Sequence, residues 1–315
     1  MIQAEDRCAE ALQRYAQGQD VNLAMQRLLV GVTLLCGACV STTSTNRPNR
    51  QIYEGRTALA LHDIGARMTA TRILYVAEQH GDPISHRAQL DVARYAKRLG
   101  PVVLAIEWLP ASSQPTLDAW IRGDINPDQL AKRLKWKQTW GHSWKSYAPI
   151  FHWSRRHQVP MIALNAEAGL ARAVARGQVG QLSAAKRYLV PPLRSGNQAH
   201  RAYFDSMMRE AAGAHAAHFN DAMLASYYRA QLVWDETMAQ RVGQTLNQYP
   251  AKSRVLVFAG EGHVLFRFGV PERVAPSYRS AVIRPISSTP EGPEPTRAGR
   301  VRADWLWLVS ESASR

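Results

Sequence analysis

Cysteine is scarce in this 315-residue chain, and its three copies, Cys8, Cys36 and Cys39, all fall within the first 39 residues. The rest carries no thiol, so its core must hold without disulfides. Acidic residues are also few: 25 Asp and Glu against 39 Lys and Arg leave a net charge of +14. That surplus favours anionic partners, a membrane surface among them. The basic residues are scattered, however, with no dense run and no helix-turn-helix or zinc-finger spacing, which argues against nucleic acid. What remains, 46% hydrophobic and 20% charged, is the composition of a globular protein. Its length suits one large domain or two small ones.

The N-terminus reads as an address. From Met25 the chain runs MQRLLVGVTLLCGACVSTTSTNRPNR: Arg27, an apolar stretch from Leu28 to Leu35, then Gly37 and Ala38 before Cys39. The stretch is too short to cross a bilayer and suits a signal-peptide core. Gly-Ala-Cys resembles the cleavage and lipidation site of bacterial lipoproteins, with Cys39 the lipidated residue. Cys36 stands where such sites usually carry Leu. Residues 1–24 fit neither a signal nor a domain, so translation is expected to begin at Met25. Residues 25–39 are then the signal segment, 40–50 a polar tether, 51–310 the folded domain and 311–315 a tail. The expected location is the bacterial cell envelope, lipid-anchored at the outer membrane.

Four short runs read as buried strands: Ile73–Ala77, Val102–Ile106, Met161–Leu164 and Val255–Ala259. They are continuously apolar and rich in Val, Ile and Leu, as parallel strands covered on both faces should be. Between the first two, Ser85–Leu99 carries helical apolar spacing and stops at Gly100-Pro101. Ala281–Ile286 and Trp305–Val309 read as two more strands, joined by an exposed Pro/Gly/Arg-rich connection over Ser287–Arg302. The alternation predicts an α/β fold, a central mostly parallel sheet with helices on both faces. A helical cap is inserted in two pieces, near 110–158 and 167–249.

Ligands of open α/β sheets bind outside the carboxyl ends of the strands. There the first strand delivers Glu78 and His80, the second Glu107, the third Asn165 and Glu167, the fourth Gly260-Glu261-Gly262-His263. If the strands are parallel neighbours, Glu78, His80, Glu107 and His263 line one pocket. Two imidazoles with one or two carboxylates can ligate a divalent metal, leaving a position for water. A pair of Glu side chains could instead divide acid and base roles. A single acidic residue at a strand end is more often a cap or an ion-pair partner; repetition across strands is the functional signal. Gly260 and Gly262 fit a tight turn that brings backbone close to a ligand.

Four pieces in order, ILYVAEQHGDPISH, VVLAIEW, AQLVWDETMA and VLVFAGEGHV, give the chain a resemblance to the ChaN family of haem-binding lipoproteins. That family lies within the Tiki/TraB and erythromycin-esterase-like superfamily. The likeness spans about Ile52 to Val309. It implies haem as cofactor, a homodimer with haems near the subunit interface, and haem-uptake components as partners. It also implies shared ancestry with metal-dependent hydrolases that use two Gly-x-x-His motifs and a separate Glu. Gly260 and His263 match the second motif and Glu107 the separate acid. In the first, His80 is present but Ala77 stands where Gly is expected.

The resemblance favours Tyr as the haem ligand. The richest region is Asn197–Met238, with Tyr203, His215, His218, Tyr227 and Tyr228. On a helix predicted from Asn220, Tyr227, Gln231, Trp234, Asp235 and Met238 recur on or near one face. Burying Gln and Asp unpaired would cost about 1–3 kcal/mol each, so this face is expected to border a pocket. His215 and His218 could meet haem propionates or a metal, or lie in an exposed loop. Trp136, Trp140, Trp144 and Trp153, with Tyr147 and Phe151, concentrate aromatics in a short segment. They read either as packing of the cap onto the sheet or as a contact surface.

Overall fold

The computed structural model describes residues 50–213 and 219–309. Its strands are β1 Arg50–Glu54, β2 Thr57–Leu59, β3 Ile73–Glu78, β4 Val102–Pro110, β5 Met161–Asn165, β6 Arg254–Gly260, β7 Ser280–Ile286, β8 Thr296–Arg297, β9 Arg300–Val301 and β10 Trp305–Val309. Eight of them form one sheet in the order β2-β1-β10-β7-β3-β6-β4-β5. The run from β10 to β5 is parallel throughout. Only β1 on β10 and β2 on β1 pair antiparallel.

The central parallel strands β3, β4 and β6 are apolar along most of their length because both faces are covered, with Glu78, Glu107 and Arg254 the charged exceptions. Leu74, Val76, Leu104, Ile106, Leu256 and Phe258 point to one core, and Ile73, Tyr75, Val103, Val255 and Val257 point to another. Helix α1 (Leu61–Thr69) leads into β3, and α2 (Pro83–Leu99) covers the first face with Val92, Ala93 and Ala96. Asp82 starts α2: its carboxylate accepts from Ile84 N at 3.0 Å and Ser85 N at 2.9 Å, and Pro83 needs no partner for its missing N–H.

The first part of the cap holds α3 (Gln114–Arg122), α4 (Pro127–Arg133), α5 (Trp136–Thr139) and α6 (Trp144–Arg156). The second holds α7 (Leu170–Ala175), α8 (Ala184–Tyr188), α9 (Gln198–Ala212) and α10 (Asp221–Gln248). Helix α10 starts at Asn220, whose side chain accepts from Met223 N at 2.9 Å, and it closes the second face with Met238, Val242 and Leu246. Two short helices follow β6, α11 (Glu261–Val264) and α12 (Val270–Arg273). The tryptophan-rich segment packs rather than projects. Trp136, Trp140, Tyr147, Phe151 and Trp153 are buried in the first core around Trp108.

The six predicted strands are β3 to β7 and β10, and β4 runs four residues past expectation to bury Trp108. Two features differ from the sequence reading. The N-terminal hairpin β1–β2 extends the sheet edge. The connection over Ser287–Arg302 contains the β8–β9 hairpin, whose turn residues Ala298 and Gly299 both have positive φ, 49° and 72°. Such a turn matches the twist of paired strands, but Ala-Gly gives a weaker sequence signal for it than Asn-Gly.

Candidate functional site at the strand carboxyl ends

In the sheet order β6 lies between β3 and β4, so the residues leaving these three strands are brought side by side. Glu78, the last residue of β3, is 1% exposed and accepts from five side chains. Its Oε1 meets Tyr147 Oη at 2.8 Å, His80 Nδ1 at 2.9 Å and His86 Nε2 at 3.4 Å. Its Oε2 meets Trp108 Nε1 at 2.7 Å and Gln89 Nε2 at 3.0 Å. Burial works against the carboxylate, but the hydrogen bonds and charges of His80 and His86 outweigh it and hold its pKa well below the usual range.

Glu107 stands at the centre. Its Oε2 accepts from Gly260 N at 2.6 Å, and its Oε1 lies 3.3 Å from His263 Nε2 and 3.9 Å from His80 Nε2. Burial again opposes the charge, while the two imidazoles and the Gly260 N–H lower its pKa. Burial disfavours the imidazolium of His263, yet Glu107 and Asp235 raise its pKa to about 10. His80 is raised too, by Glu107 and Glu78 against burial. Glu78, His80, Glu107, His263 and Asp235 thus form an alternating acid–imidazole row. Gly260 makes the row possible, since a Cβ there would sit 2.7 Å from His80 Nε2.

Ala77 costs the site nothing. In the β3–β6 register Ala77 pairs with Ala259 and Glu78 with Gly260, so the two strands present their His motifs one residue out of step. Ala77 lies inside a strand without positive φ. No turn at that position demands glycine. Glu167, by contrast, does not join the pocket: it accepts from Ser112 N at 2.7 Å and Ser112 Oγ at 2.8 Å, tying the cap to β5.

Two residues from the expected haem face belong to this site instead. Asp235 Oδ1 is 2.6 Å from His263 Nδ1, and Gln231 Nε2 is 2.8 Å from the same nitrogen. Their burial on α10 is therefore paired from the opposite side of the chain. Tyr227 and Tyr228 pack with Phe204, Met208 and Leu232. Tyr228 Oη is 3.2 Å from His200 Nδ1, and burial pushes its phenol up to about 12. Tyr203 packs edge-on against Phe266, and burial raises it further. All three rings are core, remote from solvent. His215, His218 and Cys39 lie outside the described residues.

The sequence reading missed the groups that surround the row. Trp140 meets His80 edge-on at 4.8 Å, and His142 lies 5.8 Å from it. Burial and the charge of His80 push His142 down to about 4, leaving it neutral. Trp140 gave a signal in the aromatic segment, but nothing in the spacing tied it to His80. Nor do the donors of the metal reading stand free: Glu78 accepts five bonds, and His263 faces a carboxylate through each nitrogen. Among the described residues no group of three or more His, Cys, Asp or Glu is arranged to hold a metal ion. The residues as placed do not fit one.

The family described as haem-binding uptake, Tiki superfamily, ChaN matches residues 64–274, about two thirds of the chain. The chain belongs to this family. Among solved structures it is similar to ChaN of Campylobacter jejuni, a structure of cofacial haem binding, at TM-score 0.64 and 14% identity over 83% of this chain and 97% of that one. That likeness is one of fold. Weaker likenesses reach the type III effector HopBA1 (TM-score 0.47, 10% identity, 80% and 93% covered) and an erythromycin esterase EreC mutant in its open conformation (TM-score 0.46, 11%, 84% and 84%). No curated protein matches.

Proposed function

We propose that this ChaN-family protein binds haem at the bacterial cell envelope and serves haem or iron uptake, held to the outer membrane by a lipid on Cys39. Family membership carries the reading, and one surface feature supports it. Tyr188, 89% exposed, ends α8 beside Leu189, 48% exposed, with Lys186 and Arg187 just before them. A phenol is among the groups that ligate haem iron. An apolar neighbour suits the porphyrin face, and cations suit its propionates. The residues present therefore fit haem in kind: Tyr188 would hold the iron, Lys186 and Arg187 the propionates. Bound haem would supply an iron centre for transfer or redox chemistry. The buried phenols of Tyr203 and Tyr228 are less suited, because burial resists the phenolate that iron prefers.

The relative's cofacial haems support a homodimer here, with two such patches brought face to face. Haemin titration tests the reading. A saturable Soret shift is expected in the wild type and an altered spectrum in Tyr188→Phe. A flat wild-type titration would end the haem reading. An unchanged Tyr188→Phe spectrum would remove Tyr188 and return attention to Tyr227 and Tyr228. Radiolabelled palmitate on the wild type and its absence on Cys39→Ser checks the anchor; equal label in both overturns it.

A second reading, hydrolysis by acid–base chemistry, is favoured by one observation: Glu107 is set between two imidazoles, with Asp235 behind His263. Such a row can take and return a proton at Glu107 Oε1 or His80 Nε2. Elemental analysis of wild type and a His80→Ala/His263→Ala variant bears on the metal-dependent form of this idea. Equal metal content is expected. A stoichiometric divalent ion lost with the imidazoles would overturn the acid–base form.

A further inference from the structure

Between Asp128 and Glu167 the chain carries no acidic residue, while Lys132, Arg133, Lys135, Lys137 and Lys145 fall in the first half of that stretch. All five are exposed, and among the described residues none of their side chains has an ion-pair or hydrogen-bond partner. Leu134 and Trp136 break the basic run in the sequence, but both are buried, so what reaches the surface from 132 to 137 is cationic. Packing draws Lys145 to the same place. The rings of Trp136 and Trp144 meet at 5.0 Å, which sets Lys135 and Lys137 beside Lys145. Trp144 is only partly buried, so an indole lies at the surface among the cations. An indole with one wet edge, next to lysines whose stems can lie along apolar matter, suits a lipid headgroup layer. Cations crowded without counter-charges of their own attract a surface of opposite sign.

The fold turns this face and the start of the domain the same way. Trp140 lies 4.8 Å and His142 5.8 Å from His80, just past the carboxyl end of β3. The basic segment therefore sits at the carboxyl ends of the parallel strands. Arg50, the first described residue, pairs with Val309, the last residue of β10, and β10 runs parallel with β7 and β3. The chain thus enters the fold on that same side. Four strand spacings separate β10 from β4, roughly 19 Å. Residues 40–49 reach at most about 35 Å when extended, enough to leave the basic face against any surface that holds Cys39.

We propose that the face bearing Lys132, Arg133, Lys135, Lys137 and Lys145 docks on an anionic phospholipid surface and turns the carboxyl ends of the strands toward the membrane. This rests on the Cys39 reading for bringing the membrane near. A lipid fixes where the protein sits but not which face it presents, and stable attachment takes two signals, such as a lipid and a basic patch. Each cation close to an anionic bilayer strengthens binding about fivefold.

The full chain as Cys39→Ser, which has no lipid whether or not the anchor reading holds, is sedimented with vesicles. It should bind vesicles of phosphatidylcholine with phosphatidylglycerol, and do so at least tenfold more weakly with phosphatidylcholine alone. Binding should fall several-fold as ionic strength rises to about 0.15 M. Reversing Lys135, Lys137 and Lys145 together to Glu should weaken it at least tenfold. Reversing Arg94, Lys97 and Arg98 changes net charge equally, but at the end of α2 on the opposite, amino-end side of the sheet, and should leave binding within about twofold. All six positions are exposed, so the fold should stand in both variants. Absence of binding, equal binding to the two lipid mixtures, or equal loss in the two variants would overturn the proposal. A DNA duplex that displaced the vesicles at equal phosphate concentration would assign the face to nucleic acid and overturn it too. Palmitate labelling decides the anchor and sedimentation decides the face, so either can fail alone.

Discussion

At the strand carboxyl ends, Glu78, His80, Glu107, His263 and Asp235 satisfy one another inside the protein; at the end of α8, Tyr188 and Leu189 stand out in solvent. Both regions carry groups with chemistry, but they spend them differently. In the buried row each charge is held by its neighbours, so removing one member strands another in a low-dielectric interior. On α8 no charge is buried against another: Lys186 and Arg187 reach only the backbone carbonyls of Ala168 at 3.4 Å and Gly180 at 3.1 Å, and the Tyr188 ring is open to something that arrives from outside. Mutations should therefore act through stability in the first region and through binding in the second.

The sharpest way to break the comparison is Glu78→Ala. Five donors lose their acceptor at a residue 1% exposed, and a loss of about 3–5 kcal/mol is expected by urea unfolding. A loss below about 1 kcal/mol would show that the row is not a unit. Next in size, His263 gives the row a pH signature. Its folded-state pKa is raised from 6.5 to about 10, so the native state holds a proton there that the unfolded chain has lost. Stability from this group is full below 6.5 and drains as pH rises towards 10. Glu107 acts oppositely: its pKa is lowered from 4.5, and its contribution is lost as pH falls below that value. The free energy of unfolding should form a plateau between pH 4.5 and 6.5 and fall on the alkaline side by about a few kcal/mol in total. In His263→Gln the alkaline slope should flatten; an identical slope in both proteins would refute the assignment. Gly260→Ala should cost less, about 1–3 kcal/mol, as its Cβ meets His80 Nε2 at 2.7 Å.

The contrast also explains what the sequence disclosed. The central strands were legible because a strand buried on both faces must be apolar along its length, and Ile73–Ala77 and Val255–Ala259 are. The convergence of Glu78, Glu107 and His263 followed from parallel neighbours sharing an end. Asp235 and Gln231 were visible as buried polar residues on a helix, but their partner was not. Where a 28-residue helix lies over a sheet is decided by packing that no local period encodes. Gln231 and Asp235 therefore read as a haem face and proved to be the far side of His263. Tyr188 was silent for another reason: an exposed residue on a five-residue helix belongs to no apolar stripe.

The smallest effect on stability is expected at Tyr188 itself, and it is the other half of the comparison. An 89% exposed ring in a short helix has little buried area to lose, so Tyr188→Phe should shift unfolding by no more than about 0.5 kcal/mol. If the same substitution changes the haemin spectrum, its action is on binding alone, because the fold is unmoved. Lys186→Ala and Arg187→Ala then separate ligation from propionate recognition: each should weaken haemin several-fold while leaving the iron spectrum that of the wild type. A variant at Lys186 or Arg187 that altered the spectrum as Tyr188→Phe does would mean that the whole α8 turn rearranges. Stability loss at Tyr188 comparable to that at Gly260 would erase the distinction between a surface held open for a ligand and a row closed on itself.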